Sequence, residues 1–333
     1  MSVPLRWGVL GAARIARAAV VPAIRAAGGE VVAVGSRDPE RAEKMARELG
    51  IPQAYPTYEA VLESPLDCIY LPLPNSLHLE WAVRALAAGK HVLCEKPLAL
   101  SADEALAMDR AARRHGGVLA EALMYRYHPR WEEALRLLRS GVIGEPRHVA
   151  GSFAFPLVPG DDYRWHAESG GGALYDVGTY LISASRQVFG VEPLRVLARA
   201  RLREGVDVRC DLLLDFGELG AAALGCGFDR GESQWLRVEG ADGALRIPLP
   251  FTAWTGQQVP LYLERSPAGP GKRIETSAAD PYREMADHFM RTVRTRGQPR
   301  TSAREASANL AVLDACRSSM ESGAAALVVM PPG

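Results

Sequence analysis

Along the first third of the chain, short unbroken apolar runs alternate with longer stretches in which apolar positions recur every three to four residues. Runs of strand length lie at 5–10 (LRWGVL), 30–36 (EVVAVGS), 67–74 (DCIYLPLP), 91–96 (HVLCEK) and 117–123 (GVLAEAL). The periodic stretches between them predict helices over about 13–27, from an Asp38-Pro39 start to about Leu49, and from Ser76 to near Gly89. A further helix opens at Ser101-Ala-Asp-Glu104, a capping box in which each end satisfies a backbone donor of the other. Strands without internal polar alternation, separated by helices of ten or more residues, predict right-handed βαβ units and a doubly wound parallel sheet covered on both faces.

Beyond about residue 140 the pattern changes. Strand-like runs at 147–155, 194–203, 206–216, 221–229 and 233–240 alternate apolar with polar or small residues. That period of two predicts a large, mainly antiparallel sheet with one covered and one open face. One helical stretch, about 172–187, interrupts the strands, and two helices, about 281–296 and 302–322, close the chain; Ser302-Ala-Arg-Glu305 forms a second capping box. The expected organisation is an α/β domain over 1–123 and an α+β domain over 124–333, with the C-terminal helix free to pack back on the first. Residues 267–273 (PAGPGKR) read as a surface loop. The open sheet face calls for a cover, and a second copy of the chain fits, so a homodimer or homotetramer through that sheet is expected.

A length of 333 residues agrees with two domains, and an apolar fraction of 48% with 23% charged residues is that of a globular protein. Lys+Arg and Asp+Glu balance at 39 each, so no net field points to nucleic acid or to an anionic membrane. No apolar stretch reaches the ~20 residues that span a bilayer. The five cysteines are scattered, with no C-x-x-C and no Cys/His cluster, which predicts reduced thiols, no metal site and a cytoplasmic location.

After the first strand comes Gly8-Val-Leu-Gly11-Ala-Ala13-Arg14-Ile15-Ala16. Against G-x-G-x-x-G/A, Gly11 takes the tight-turn position, Ala13 the position of closest approach to a pyrophosphate, and Ala16 the helix-packing position. Its strand-before, helix-after context makes 1–123 a dinucleotide-binding Rossmann domain. Where an NAD-binding protein places an acid on the adenosine ribose, the second strand ends Gly35-Ser36-Arg37-Asp38, with Arg41 one turn on. A small hydroxyl beside two guanidiniums suits a 2′-phosphate, so NADP is expected over NAD. Two other readings stay open, that the arginines are simply solvated and that Asp38 turns to the ribose. The third strand ends Leu73-Pro74-Asn75, at the edge where such sheets bind ligands. Asn75 is placed to bond ribose or carboxamide, and His78 either joins it or starts the next helix.

Only four of the 39 basic residues are lysines, and one of them, Lys96, sits between Glu95 and Pro97 at the end of a parallel strand. Its compact ammonium suits a hydrogen bond to a reacting oxygen, though from composition alone an ordinary ion pair with Glu95 is the better explanation. Pro97 restricts Lys96 to extended geometry. A second cluster is Gly170-Gly-Gly-Ala-Leu-Tyr-Asp176-Val-Gly178-Thr-Tyr180. Asp176 and Tyr180, four apart, share a helix face. The bare Gly178 is expected to admit a ligand or the first domain. A phenol becomes a usable acid/base near a cation that stabilises its phenolate, although such a tyrosine is also a common core residue.

Together, AGKHVLCEKP (88–97) and GGGALYDVGTY (170–180) resemble the glucose–fructose oxidoreductase / inositol dehydrogenase / rhizopine-catabolism (Gfo/Idh/MocA) family. VAVGSRDPERA (32–42), IPQAYPTYEAVL (51–62) and EALMYRYHPRW (121–131) extend the likeness toward its dimeric dihydrodiol dehydrogenase and NADP-dependent xylose dehydrogenase branch. The resemblance implies a catalytic pair of Lys96 and Tyr180, with Asp176 positioning substrate; many relatives carry His at the position of Tyr180. It also implies that Tyr125, Arg126 and Tyr127 lie near nicotinamide and substrate, and that Arg164-Trp165 sits at the pocket mouth. The function so implied is a dehydrogenase or reductase of sugar, polyol or diol hydroxyls. The alternatives are a ketoreductase of a nucleotide-linked keto-sugar, or a non-catalytic NADP-sensing regulator on the same scaffold.

Overall fold

The computed structural model describes residues 3–252, 256–265 and 271–332. Six strands, β1 (Arg6–Leu10), β2 (Glu30–Gly35), β3 (Gln53–Tyr55), β4 (Cys68–Leu71), β5 (His91–Cys94) and β6 (Leu119–Glu121), form a sheet in the order β3-β2-β1-β4-β5-β6. Every pairing in it is parallel, the doubly wound order of dinucleotide-binding domains. β4 is buried along its whole length because helices cover both faces. The helices are α1 (Val21–Ala26), α2 (Pro39–Leu49), α3 (Tyr58–Glu63), α4 (His78–Ala87) and α5 (Ala102–His115). β3 and α3 escaped the sequence pattern, since three residues at a half-exposed sheet edge and a six-residue helix are too short to show a period.

A second sheet has nine strands. They are β7 (Pro146–Ala154), β8 (Arg195–Arg203), β9 (Val206–Asp215), β10 (Ala221–Gly227), β11 (Ser233–Gly240), β12 (Gly243–Pro248), β13 (Leu261–Glu264), β14 (Lys272–Ile274) and β15 (Ala326–Leu327). Their order is β14-β13-β12-β11-β7-β10-β9-β8-β15, and only β7 with β10 runs parallel. β12 to β15 extend the sheet beyond the strands expected. Of the loop expected at 267–273, residues 267–270 lie outside the described residues, and Lys272 and Arg273 belong to β14. α6 (Pro129–Arg139), not anticipated, and α7 (Thr179–Phe189) accompany this sheet, and α8 (Pro281–Thr295) and α9 (Ala303–Ser322) close the chain. Among the described residues no helix is long and apolar enough to cross a membrane.

The chain divides into two compact units, Met1–Tyr127 with Asp280–Ser307, and His128–Ala279 with Ala308–Gly333. This differs from a single cut after residue 123. The reason is the apolar face of α8: Phe289 packs on Trp7 at 5.3 Å between ring centroids, and His288 on Tyr127 at 5.0 Å. Burying that face beside α1 stabilises the first unit more than exposing it would allow.

Candidate active site

In the first unit the turn after β1 is set by Gly11. Its φ of +114° and the Leu73 side chain, 2.9 Å from where a Cβ would sit, exclude any larger residue. Its N–H bonds Gly35 O at 2.8 Å, drawing the ends of β1 and β2 together. Ala13 and Ile15 are half-buried, Arg14 is exposed, and Ala16 is fully buried, as the packing position requires. The helical run that follows opens with a π turn over Ala16–Val20. This bare turn, with helix N–H groups ahead of it, fits a pyrophosphate.

At the end of β2, Ser36 is buried and its Oγ accepts from Asp38 N at 3.2 Å. Asp38 Oδ1 accepts from Arg41 N at 3.3 Å and so caps α2. Its carboxylate is thereby committed to the helix, which argues against its turning to a ribose. Arg37 and Arg41 are exposed, and among the described residues neither guanidinium has an ion pair. Arg37 borders a cavity of about 410 Å³ whose lining includes Thr57, Leu77, Glu80 and Trp81. The wall carboxylates Glu59 and Glu80 are neutralised by Arg84, at 2.7 and 3.1 Å, which stacks on Trp81. The donor set therefore fits a phosphorylated ribose.

Lys96 follows β5 on a segment held from three sides. Glu95 Oε1 accepts from Tyr70 OH at 2.6 Å, and its Oε2 faces Lys96 N at 3.3 Å. The Lys96-Pro97 peptide is cis. Pro97 O lies 3.0 Å from His78 Nδ1, and Leu98 N donates to Glu121 Oε1 at 2.9 Å. The other ring nitrogen of His78 meets Leu73 O at 2.8 Å. Burial lowers the His78 pKa and outweighs the carbonyl contacts that favour a second proton. Burial, reinforced by Glu95, raises the Tyr70 phenol well above its ordinary value, so it remains a donor.

Several residues expected at the cofactor or substrate are also tied into the framework. His78 is wholly buried and bridges two backbone carbonyls instead of facing a cofactor. Tyr125 is buried, and the Tyr127 hydroxyl meets Thr301 Oγ1 at 2.8 Å. Arg126 pairs with Glu305 at 2.8 Å, and Asn75, also buried, opens the turn before α4. Leu73 packs inside and Pro74 is half-buried. Glu121 and Tyr70, which hold the lysine segment, lie in strands whose apolar runs gave no reason to single them out.

In the second unit, Asp176 and Tyr180 are 5% and 8% exposed, on a helical run that opens with a π turn over Leu174–Gly178 and continues as α7. Both candidate segments thus begin with the wider turn that recurs at functional sites. Arg164 Nε lies 2.9 Å from Asp176 Oδ2, and its Nη1 3.1 Å from Asp162. The Tyr180 ring sits among Phe153 and Phe251, with centroids 5.5 and 5.3 Å away. Asn309 anchors the neighbouring Thr179 through its carbonyl and its hydroxyl, at 3.2 and 2.9 Å. Trp165 Nε1 bonds Val158 O at 3.0 Å, within the loop that carries Arg164. Gly178 does not clear space for a ligand: a Cβ there would press on Leu174 and on Cys226 of β10, at 3.1 and 3.2 Å.

A doubly wound parallel sheet with a bare turn after β1 defines a dinucleotide-binding fold, and comparison with known proteins identifies the family. Residues 5–123 match the GFO/IDH/MocA oxidoreductase family with its NAD-binding Rossmann fold, and residues 131–246 match the GFO/IDH/MocA C-terminal domain. The chain belongs to this family. It is 39% identical to D-xylose 1-dehydrogenase (NADP(+)) 2 of Haloferax volcanii, over 96% of this chain and 99% of that one. It is 34% identical to trans-1,2-dihydrobenzene-1,2-diol dehydrogenase of Xenopus laevis, over 73% and 75%. A 3-ketoreductase from Actinomadura kijaniata, solved in complex with NADP and TDP-benzene, superimposes with a TM-score of 0.89 at 32% identity, covering 96% of this chain and 98% of that one.

Proposed function

We propose that this oxidoreductase interconverts a hydroxyl and a carbonyl on a free sugar or diol, with NADP as the redox partner. The observation that carries the reading is the three-sided hold on the backbone around Lys96, just past the carboxyl end of β5 in the parallel sheet. NADP, when bound, accepts or returns the hydride at its nicotinamide. Tyr180 exchanges the hydroxyl proton, as phenolate in oxidation and as phenol in reduction. The Lys96 ammonium stabilises that phenolate and the substrate oxygen as charge develops. Asp176, aligned by Arg164, accepts a second substrate hydroxyl and sets its orientation. Ser36, Arg37 and Arg41 bind the 2′-phosphate, and Gly11, Ala13, Arg14 and Ile15 the pyrophosphate, with Leu73 and Pro74 bordering the cofactor and Asn75 bonding its ribose or carboxamide. A nucleotide-linked substrate needs free cations for its own pyrophosphate. The loop around Arg164 instead pairs that arginine with Asp162 and Asp176, which favours an uncharged polyol.

The test is a panel of aldoses, including D-xylose, with inositols, trans-diols and a dTDP-linked keto-sugar, each with NADP and NAD in the appropriate redox state. Turnover of a free sugar or diol with NADP⁺ is expected; turnover confined to the dTDP-linked compound overturns the substrate class. In the same assay, Arg37→Glu is expected to raise the KM for NADP⁺ about a hundredfold with little change for NAD⁺, because a charge-assisted phosphate contact becomes a repulsion. Equal effects on both cofactors would remove Arg37 from the phosphate site.

The open face of the nine-stranded sheet serves assembly in this reading. Leu197, Leu213 and Trp235, on β8, β9 and β11, are 41%, 46% and 39% exposed. Among them run strand-crossing ion pairs such as Arg230–Asp211 at 2.6 Å and Arg237–Glu264 at 3.1 Å. Apolar anchors within a charged network suit a self-complementary contact between copies of the chain, as a dimer or tetramer. Leu213→Glu with Trp235→Glu is expected to give a monomer by light scattering at micromolar concentration. An unchanged mass would place the interface elsewhere.

A further inference from the structure

We infer that Asp207, on a strand remote from every recognised motif, is a positioning residue for the segment that carries Asp176 and Tyr180, its carboxylate closing the amino end of that helical run. The inference rests on the catalytic reading of Tyr180 above.

The helical run starting at Leu174 has no side-chain cap of its own, so its first N–H groups need an outside acceptor. Asp207 supplies it. Its Oδ2 accepts from Leu174 N at 2.7 Å, and the carboxylate also accepts from Ala173 N. The contact depends on an irregularity in the sheet. In a regular strand, positions 207 and 210 point to opposite faces. Here the β8–β9 register slips between Arg201 and Leu202. Asp207 Oδ2 consequently lies 3.2 Å from Sγ of the buried Cys210, on the face that the helix covers. Re-aiming a side chain in this way is a recurrent use of β-bulges.

The same carboxylate accounts for one of the glycines before the helix, Gly172. A Cβ on Gly172, whose φ is +113°, would collide with Asp207 Oδ1, and one on Gly171 would collide with the Arg164 and His166 carbonyls. Gly172 N in turn donates to Arg164 O at 3.0 Å, so the Asp207 contact and the Arg164 loop meet at one residue. Asp207 thereby sets the start of the run, and the Arg164–Asp176 pair and Tyr180 follow from it.

The cap also titrates. Burial pushes Asp207 up to about 6, against the pull of the Leu174 N–H, the Cys210 thiol and the Ala173 N–H. The groups around it are Cys210 on its own strand, Tyr175 on the helical run with Arg317 on its hydroxyl, and Cys316 on α9. Cys210, raised by hydrogen bonding with Cys226 and by burial, and Cys316, raised by burial, stay protonated through this range. Because the folded pKa exceeds the ordinary 3.8, protonation favours the folded chain, and that contribution fades as pH rises through 6. What is lost below pH 6 is therefore the charge of the cap and not the fold.

The experiment compares Asp207→Asn and Asp207→Ala with the parent by hydrogen exchange of the 172–178 amides, by NADPH fluorescence titration, and by turnover of D-xylose from pH 5 to 8. Asp207→Ala is expected to speed exchange at Ala173 and Leu174 about tenfold or more, the loss expected for a charged acceptor, and Asp207→Asn to do so partially. NADPH affinity should hold, kcat should fall more than KM changes, and the parent's acid limb near pH 6 should vanish in Asp207→Asn. Parent-like protection at residues 173 and 174 in both variants, or an acid limb that survives in Asp207→Asn, overturns the inference. Should Asp207→Ala fail to fold, the parent's own exchange decides: corrected for intrinsic rates, it must rise below pH 6 at these two amides. The exchange arm needs no substrate, so faster exchange in the variants together with no turnover in the parent upholds Asp207 and counts against the catalytic reading alone.

Discussion

Tyr180→Phe is expected to lower turnover at least about a hundredfold, within the range for removing a general acid–base, while NADPH binding and melting temperature stay close to those of the parent. The variant removes one oxygen and keeps the ring, so the packing on Phe153 and Phe251 persists. Stability is thus separated from chemistry, which Tyr180→Ala would confound by opening a cavity. The split between KM and kcat carries the information. An oxygen that only binds substrate raises KM, whereas one that moves the proton lowers kcat. Near-normal kcat in Tyr180→Phe would leave the tyrosine as a member of an aromatic cluster and return the proton transfer to another group.

Lys96→Met is expected to cause a loss of similar size, about 2.7 kcal/mol of transition-state stabilisation for each hundredfold. Methionine keeps the unbranched stem and deletes the charge, and the backbone of the segment remains tied through Glu95, His78 and Glu121. Lys96→Arg should not rescue, because a planar fork does not replace a compact ammonium. If ammonium and phenol act as one unit, the Lys96→Met/Tyr180→Phe double variant falls little below either single one. Multiplicative losses would instead describe two independent contributors. Turnover in Lys96→Met close to the parent's would reduce the lysine to a partner of Glu95.

The parallel sheet was legible because each central strand is an uninterrupted apolar run and each helix carries a local start signal. Asp38 caps α2 and Ser101 caps α5, as the sequence pattern predicts. Such signals need only neighbours within one turn. The short edge elements, β3, β14 and β15, have too few residues to display a period, and α6 was not anticipated; α8 was legible as a helix, but its packing in the first unit was set by tertiary structure. At the site, Lys96 and Tyr180 stood out through rarity, spacing and resemblance. His78 and Tyr127 stood out equally, yet their polar atoms are satisfied inside the first unit.

The sequence by itself determined the alternation of the central strands and helices in the parallel-sheet unit, the bare turn at Gly11, the arginines after β2, and the residue types capable of proton transfer. These are local properties, encoded within a few residues. Only the tertiary structure decided that Asp38 is occupied with a helix end, that Glu121 and Tyr70 hold the lysine segment, and that Gly178 makes room for Cys226. It alone turned Asp207, by a one-residue slip in the β8–β9 register, onto Gly172 and the Leu174 N–H. Partners such as Asp207 and Leu174, 33 residues apart, are joined by strand register and helix packing, and no local spacing encodes them.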